Sequence, residues 1–462
     1  MPESDGHEPD APPSPSEDVL DGPVPEEPRR GPRTSFHRPR DFIAVVVLVV
    51  VVVAGGVLIG TSSDIAATTS QTAPDGIVEV PAEPATLPPT FGETWRAESG
   101  ATPVPVVAGG TVVTGNGNEV IGRDALTGEQ RWRYARNIPL CTVSTGWQDA
   151  VAVYRRTETD LPDGARYKDG NCSEVTTLKS GSGERDRQRN GDAELGTRLL
   201  FDGTHMTATG KRLINTWRSD MVLTMEYGSV PDPVNPGKQP RPDCNYGSVA
   251  VASGRIGVIE RCPSKTDPTV FDNDRLSVYK PTAKDSDSPQ VDFSIPLGTT
   301  GSRILAVTEP RTDCGDTCPK YVAVAEPNPS RIEVFDATGK PVASYPVSVP
   351  DTDFKGDPPG EAVWSTKGTA ALFWFTGSKT IALSLTDLHP MWTVDDTLGP
   401  GAVMAGYLLV PVKDAIAVID QNTGARVATA PVNRQGYTGP VQSAVVGPIL
   451  LEQRGSTLVA LR

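Results

Sequence analysis

A short motif that recurs within residues 91–462 constrains the fold more than any other feature of the sequence. In each copy a strand-like apolar run ends at an aspartate, and a Thr-Gly pair follows two or three residues later. The aspartate carboxylate accepts backbone N–H groups of a turn, and glycine supplies the positive φ that the turn needs. Each copy therefore predicts a β-hairpin whose return strand carries an aromatic or aliphatic residue onto the neighbouring unit. The clearest copies contain Asp124, Thr127, Gly128 and Trp132, then Asp336, Thr338 and Gly339, then Asp420, Thr423 and Gly424.

The same part of the chain contains many short strand-like runs and almost no helical period. Short strands separated by turn signals predict a sandwich, a barrel or a propeller, and a recurring hairpin unit selects the propeller. We expect an all-β fold of eight four-stranded blades, with seven as the alternative. The eighth blade combines strands within 438–461 with an outer strand from Phe91–Trp95, which closes the ring. The other blades are predicted near 101–134, 140–187, 197–226, 245–297, 303–346, 361–394 and 400–431.

The motif resembles the tryptophan-docking repeat of the quinoprotein-like (PQQ-like) β-propellers, Ala-x-Asp-x-x-Thr-Gly-x-x-x-Trp. Gly122 stands at the alanine position of the best copy, the tryptophan is present at Trp132, and Ala428 replaces it in another copy. The whole layout is similar to that of a group of uncharacterised actinobacterial membrane proteins with PQQ-like repeats. This resemblance implies a propeller fold and an extracytoplasmic compartment, and it implies no activity.

The N-terminal part of the chain predicts a membrane anchor. Residues 1–41 are rich in Pro, Glu, Asp and Ser, a composition typical of a disordered segment. Residues 42–60 carry no charge and are long enough for a transmembrane helix. Basic residues crowd only their N-terminal side, so the tail is expected in the cytoplasm and the rest outside the cell membrane. A cleaved signal peptide is the alternative. Residues 61–90 are interpreted as a Pro/Thr/Ala-rich linker that holds an extracytoplasmic propeller, residues 91–462, away from the membrane.

All six cysteines follow the apolar segment, which predicts disulfides in an oxidising compartment. On the blade map, sequential pairing is geometrically favoured. The expected pairs are Cys141 with Cys172, Cys244 with Cys262, and Cys314 with Cys318.

The sequence does not single out a catalytic constellation. A net charge of −14 repels phosphate backbones, so nucleic acid is not an expected partner. There is no Cys/His zinc spacing, no vicinal cysteine pair of the kind found in PQQ-dependent dehydrogenases, and no hydrolase motif. We therefore expect no catalytic residue, no metal and no cofactor.

Two loops are unusual. The first, residues 226–244, is long, Pro-rich and locally basic, and long ordered loops on propellers often form contact surfaces. Its candidate partner residues are Tyr227, Asn235, Lys238 and Arg241. The second, residues 352–361, is interpreted as a surface insertion.

The resulting hypothesis is a non-enzymatic, membrane-anchored interaction scaffold that binds cell-envelope proteins. A resemblance to the propeller lipoprotein of outer-membrane assembly points the same way. The alternative is a propeller that senses or binds a sugar or another small molecule. A PQQ-dependent dehydrogenase is less favoured.

Overall fold

The computed structural model describes residues 39–61, 67–74, 76, 78–156, 171–231, 237–268, 270–308, 318–355 and 360–462. The chain divides into two units, one up to Ser63 and one from Asp64 onward. The segment predicted as a disordered tail lies, apart from its last residues, outside the described residues.

The N-terminal unit contains one helix, α1 (Pro39–Thr61). Proline suits the first helical position because its missing N–H would have no partner there. At 1.5 Å per residue α1 is about 35 Å long, enough to cross a hydrocarbon core of about 30 Å. By length and composition α1 is therefore able to span a membrane, a property that signal sequences share.

The second unit is a β-propeller of eight antiparallel blades, as predicted, and in seven of them the strands run outward in chain order. Blade 1 contains β3 (Val106–Ala108), β4 (Thr111–Asn116), β5 (Glu119–Asp124) and β6 (Gln130–Ala135). Blade 2 contains β7 (Leu140–Gly146), β8 (Asp149–Arg156), β9 (Asn171–Leu178) and β10 (Arg185–Asn190). Blade 3 contains β11 (Leu199–Phe201), β12 (Met206–Ala208), β13 (Leu213–Trp217) and β14 (Leu223–Gly228). Blade 4 contains β15 (Asn245–Ala252), β16 (Arg255–Arg261), β17 (Arg275–Tyr279) and β18 (Val291–Pro296).

The remaining blades follow the same plan until the ring closes. Blade 5 contains β19 (Arg303–Val307), β20 (Val322–Glu326), β21 (Arg331–Phe335) and β22 (Pro341–Pro346). Blade 6 contains β23 (Ser365–Lys367), β24 (Ala371–Phe375), β25 (Lys379–Ser384) and β26 (Pro390–Asp395). Blade 7 contains β27 (Ala402–Met404), β28 (Tyr407–Val412), β29 (Ala415–Asp420) and β30 (Arg426–Pro431). Blade 8 contains β31 (Val441–Val446), β32 (Ile449–Arg454), β33 (Thr457–Leu461) and, as its outer strand, β2 (Glu93–Glu98).

The closure of blade 8 confirms the prediction that both ends of the domain share one sheet. β2 pairs antiparallel with β33, so that Glu93 lies opposite Leu461 and Glu98 opposite Thr457. The outer strand begins two residues later than the predicted Phe91–Trp95 segment. Because β2 covers β33, the last strand of the chain, blade 8 holds the two ends of the domain together.

The apolar core consists of clusters between blades rather than one central core. Among the described residues, eight buried clusters each join two neighbouring blades, and together they complete the circle. The two-residue period of a strand explains this arrangement. In β8, Ala150, Ala152 and Tyr154 pack toward blade 1, whereas Val151 and Val153 pack toward blade 3. Both faces of a central strand are thus buried, which accounts for its nearly continuous apolar sequence.

Residues 61–90 were predicted to be a linker, but in the structure most of them contact the propeller. β1 (Thr69–Gln71) pairs with β6 as a fifth strand of blade 1. The N–H of Ala73 then donates to Ser182 O at 2.9 Å, and the Glu83 carboxylate accepts the N–H of Ala405. Leu87 packs against the cluster between blades 7 and 8. We call residues 67–90 the strap.

Two of the three predicted disulfides are confirmed. Cys141 and Cys172 are joined within blade 2. Cys244 and Cys262 are joined across the first hairpin of blade 4, between β15 and β16. Cys318 is disulfide-bonded, and its predicted partner, Cys314, lies outside the described residues.

Candidate functional site

The aspartates of the repeated motif are turn residues in the structure. Asp124 Oδ1 accepts the N–H groups of Leu126 and Thr127 at 2.9 and 3.0 Å. Asp420 Oδ1 accepts the N–H group of Thr423 at 2.8 Å, and Thr423 Oγ1 donates to the same oxygen at 2.9 Å. Asp336 Oδ1 likewise accepts the N–H groups of Thr338 and Lys340, at 2.8 and 3.1 Å. These carboxylates are occupied by the turns that they form.

The aromatic residue of a return strand docks on the equivalent turn of the next blade. Trp132 of blade 1 is fully buried, and its Nε1–H donates to Ser180 O in blade 2 at 2.9 Å. Trp392 of blade 6 donates to Gln421 O in blade 7 at 3.1 Å. Gly424 has φ 71° in that turn, and a Cβ atom there would lie 2.5 Å from the Trp392 ring. The glycine is thus required both by the turn and by the close approach of the indole.

The residues predicted to bind a partner do not all lie in an exposed loop. Tyr227 belongs to β14 and is fully buried, so it is not available to a partner. Lys238 Nζ lies 3.3 Å from Asp285 Oδ2 and 3.5 Å from Asp287 Oδ1. Asn235 lies outside the described residues. The sequence analysis counted Tyr227 in the Pro-rich loop, whereas β14 continues to Gly228 and so includes it.

Arg241 and Tyr227 meet at Glu260, a fully buried residue that the sequence analysis did not single out. Arg241 Nε lies 2.6 Å from Glu260 Oε2, and the hydroxyls of Tyr227 and Tyr279 each donate to Glu260 Oε1 at 2.6 Å. Burial opposes the charge of Arg241, but hydrogen bonding to Glu260 prevails and raises the arginine pKa above its ordinary value. Burial raises the pKa of both tyrosines. We call these four residues the Glu260 network.

The Glu260 network is not a metal site. Cys244, Glu260 and Cys262 offer ligand atoms within 4.8 Å of one another. The two sulfurs are joined in a disulfide, however, and metal binding requires thiolates. The carboxylate is already satisfied by Arg241 and two phenols.

Each face of the propeller carries one set of turns. In each blade, one turn joins the first strand to the second, and another joins the third strand to the fourth. We call the face that carries these two turns the upper face. The lower face carries the turns between second and third strands and the connections between blades. The strap crosses the upper face at Ser182, Gly447 and Ala405, which belong to blades 2, 8 and 7. The motif turns lie on this face too.

The lower face of blade 4 carries a loop beside the Glu260 network. The described residues of the connection between β16 and β17, 262–268 and 270–274, are held by the disulfide at Cys262 and by a β-bridge between Pro263 and Phe271. Asp272 N–H donates to Cys262 O at 3.0 Å. Val270 and Phe271 are nevertheless 54 % and 45 % exposed. We call this loop the ridge; it borders a groove of about 1020 Å³ whose other wall is residues 240–244.

A second concave site lies among the inner strands of blades 3 to 6. This channel cavity measures about 590 Å³. Leu385 and Thr386, in the turn between β25 and β26, line it at the upper face. Its described lining residues are Leu200, Val249, Ala250, Val251, Leu305, Ala306, Val307, Thr308, Ala362, Val363, Ser365, Lys367, Leu372, Leu385, Thr386 and Leu388.

The residues that directly follow the loop interpreted as a surface insertion line this cavity; residues 356–359 of the loop itself lie outside the described residues. Gly360 N–H donates to Gly247 O at 2.8 Å, and Val249 N–H donates to Glu361 O at 3.0 Å. The Glu361 carboxylate also pairs with Arg198 of blade 3 at 3.0 Å. Residues 360–364, the crossing segment, thus connect blade 5 to blade 6 by passing along the inner strand of blade 4. Ala362 and Val363 line the cavity from that side.

The repeated motif resembles that of PQQ-like propellers, but PQQ itself does not fit the channel cavity. It is a quinone with several carboxylates and needs cationic side chains and oxygen ligands for its Ca²⁺. The described residues lining the cavity include one lysine and no acidic or carboxamide side chain.

One hydrogen-bonded chain has the order of a catalytic triad. Asp202 Oδ2 lies 3.3 Å from His205 Nδ1, and His205 Nε2 lies 2.9 Å from Thr282 Oγ1. Burial alone would raise the pKa of Asp202, but hydrogen bonds from His205 and its neighbour lower it. None of the three residues lines the channel cavity or the ridge groove. Their contacts tie the upper turn of blade 3 to blade 4, which is a structural role.

Comparison with known proteins finds solved structures of similar fold with low sequence identity. No protein-family model matches the chain, and no curated protein is significantly similar to it. The computationally designed protein Ika8 is 12 % identical over 80 % of this chain and 98 % of its own, with a TM-score of 0.47. A quinohemoprotein alcohol dehydrogenase of Pseudomonas putida is 11 % identical over 80 % of this chain and 76 % of its own, with a TM-score of 0.49. Values this low assign no activity to the chain.

Proposed function

We propose that the chain is a non-enzymatic, membrane-anchored propeller that binds another protein of the cell envelope through the ridge on its lower face. α1 serves as the anchor, and the basic residues before it favour a cytoplasmic N-terminus with the propeller outside. The disulfides support this compartment, because such bonds persist where the environment is oxidising.

The ridge is the observation that carries the proposal. Val270 and Phe271 are exposed side by side on a loop whose backbone is fixed by a disulfide and a β-bridge. A disulfide and a β-bridge reduce the conformational entropy that a loop loses on binding, and a central aromatic contributes a large share of interface energy. The adjoining groove is lined by charged side chains of both signs, Lys265 and Arg275 beside Asp243 and Asp272, which favour a partner surface that also carries both signs of charge.

Replacing Val270 and Phe271 together by serine tests the ridge. The tagged full-length protein is purified from membranes, and co-purifying proteins are quantified by mass spectrometry. We expect the serine variant to lose its specific partner. The matched control replaces Val342 and Val427, exposed valines in blades 5 and 7, by serine and should retain the partner. Equal recovery with both variants would exclude the ridge as the binding surface.

Small-molecule binding is a second candidate function, and the channel cavity is the observation that favours it. Its volume lies within the range of about 300–1,000 Å³ typical of ligand pockets. A sugar is not favoured as the ligand. Sugars require many hydrogen-bonding side chains and commonly an aromatic face, and the described lining offers two threonines, one serine, one lysine and no aromatic residue.

A further inference from the structure

The walls of the channel cavity are aliphatic and uncharged over most of their area. Leucine, valine and alanine make up most of the described lining residues, and Lys367 is the only charged residue among them. Lys367 is exposed at the end of β23, next to the upper face, so the charge lies at the rim. The interior therefore offers dispersion contacts and the release of water, and little directional hydrogen bonding.

The cavity exists partly because two of its lining residues are alanines, whose side chains are small. Ala250 of β15 and Ala306 of β19 lie on neighbouring inner strands, and both remain partly exposed to the cavity. Larger side chains surround them, among them Leu305 and Leu388, which are 2 % exposed. A cavity between such fixed residues keeps its shape because the blades on both sides are close-packed.

The described residues bound the cavity on its lower side. The crossing segment contacts β15 from the lower side, where Val249 N–H donates to Glu361 O at 3.0 Å. The strap contacts blades 1, 2, 7 and 8 on the upper face, whereas the cavity belongs to blades 3 to 6. The described strap therefore does not line the mouth of the cavity.

We propose that the channel cavity binds the linear alkyl chain of an amphiphile, with the chain inside the cavity and the polar head group at the upper rim. This inference rests on the second candidate function and is independent of the ridge. An alkyl chain matches the walls because each buried methylene raises affinity about fourfold without needing a hydrogen-bond partner. A flat aromatic ligand is less well matched, since none of the described lining residues provides a ring for stacking.

A photoreactive lipid tests this proposal in the full-length protein. Membranes that contain the protein are incubated either with a diazirine-bearing palmitic acid or with a phosphatidylcholine that carries the same diazirine on one acyl chain. After irradiation, adducts are mapped by mass spectrometry. We expect adducts on α1, which reports access to the membrane, and on the cavity residues of β15, β19 and β24. Cavity adducts from the free acid alone identify a fatty acid as the source, and adducts from both probes identify a lipid acyl chain.

Two variants are designed to fill the cavity, and a third variant, elsewhere in the propeller, is the control. Ala306→Trp and Ala250→Phe place a ring where the chain is expected, so each should lose the cavity adducts while α1 is labelled as in the wild type. Val427→Trp, on the exposed outer strand of blade 7, should keep both sets of adducts. The melting temperature of each variant shows whether the propeller remains folded, and two different filling variants guard against a folding defect in one.

Adducts confined to α1 with both probes would overturn the alkyl-chain proposal. A thermal-shift panel of envelope metabolites then separates this failure from that of the broader function. If a metabolite stabilises the wild type but not Ala306→Trp, the cavity binds a small molecule of another class. If no metabolite does so and no probe labels the cavity, small-molecule binding by this cavity is contradicted as well.

Discussion

Trp132 joins two blades through one side chain. It is fully buried, its indole packs against Gly183, and its Nε1–H donates to Ser180 O. The indole fills the space between blades 1 and 2, and the hydrogen bond satisfies a carbonyl that the turn leaves unpaired. The same arrangement at Trp95 and Trp392 holds blade 8 to blade 1 and blade 6 to blade 7.

Trp132→Ala should lower the free energy of unfolding by about 3–5 kcal/mol, because it creates a cavity between two blades and leaves the Ser180 carbonyl without its donor. The midpoint of chemical denaturation measures this change. Arg131→Ala, at the exposed neighbouring position of the same strand, is the control and should shift the midpoint little. Similar midpoints for both variants would contradict the docking role of Trp132.

The Glu260 network predicts a loss of stability at alkaline pH. Burial raises the pKa of Tyr227 and Tyr279, so the folded state retains protons that the unfolded state releases above about pH 10. The network's contribution is therefore complete below about pH 10 and falls as the pH rises toward the folded-state pKa.

Tyr279→Phe provides the test of that pH dependence. The variant loses one hydrogen bond to Glu260 and should be less stable at neutral pH by about 1–3 kcal/mol. Its denaturation midpoint should then decline less steeply than that of the wild type between about pH 9 and about pH 11. Parallel declines would show that the Tyr279 hydroxyl does not contribute to the alkaline loss.

At the scale of elements, the disulfide Cys244–Cys262 connects the end of one loop to the start of another. It fixes residue 244 of the predicted partner loop and residue 262 of the ridge, and Arg241 reaches Glu260 from the same loop. The bond thus supports both the buried network and the exposed residues Val270 and Phe271.

Replacing Cys244 and Cys262 together by serine should lower the free energy of unfolding by about 2–4 kcal/mol and open the ridge to proteases. Limited proteolysis should then cut within residues 237–274. The control variant replaces Cys141 and Cys172 by serine, which removes a disulfide from blade 2 and should leave the ridge resistant. Cleavage of the ridge at the wild-type rate would contradict this assignment.

The elements show what the sequence predicts and what it does not. The hairpins and the closing strand were predictable because Asp-x-x-Thr-Gly turns and alternating apolar residues are local signals. β1 and the crossing segment were not, because they attach through backbone hydrogen bonds to distant strands, as Gly360 does to Gly247. Glu260 was missed for a related reason: its partner Arg241 precedes it by a whole hairpin, and an isolated acid in an apolar strand gives no sign of its partner. The channel cavity likewise depends on residues from four blades.

At the scale of the whole molecule, the ring is held closed by β2. Trp95 of this strand packs in the cluster between blades 8 and 1, and its Nε1–H donates to Ala125 O at 3.0 Å. A buried ion triad supports the same region, since Glu452 of β32 pairs with both Arg434 and Arg454 at 2.7 Å.

Shortening the chain from its N-terminus should distinguish the strap from the closing strand. A chain that begins at residue 91 lacks the strap but retains β2, and it should remain soluble with a modestly lower melting temperature. A chain that begins at residue 99 lacks β2 as well, so the exposed edge of β33 should cause aggregation or a large fall in the melting temperature. Size-exclusion chromatography and thermal melts compare the two. Equal behaviour would contradict closure by β2.

Crosslinking in intact cells shows whether the propeller binds an envelope protein outside the cytoplasm. The tagged full-length protein and a tagged chain of residues 1–66, which retains α1 but lacks the propeller, are crosslinked, purified and analysed by mass spectrometry. We expect envelope proteins that are linked to residues 91–462, mainly at 237–275, and that are absent with the shorter chain. The same proteins recovered with both chains, or crosslinks from the propeller to cytoplasmic proteins, would contradict it.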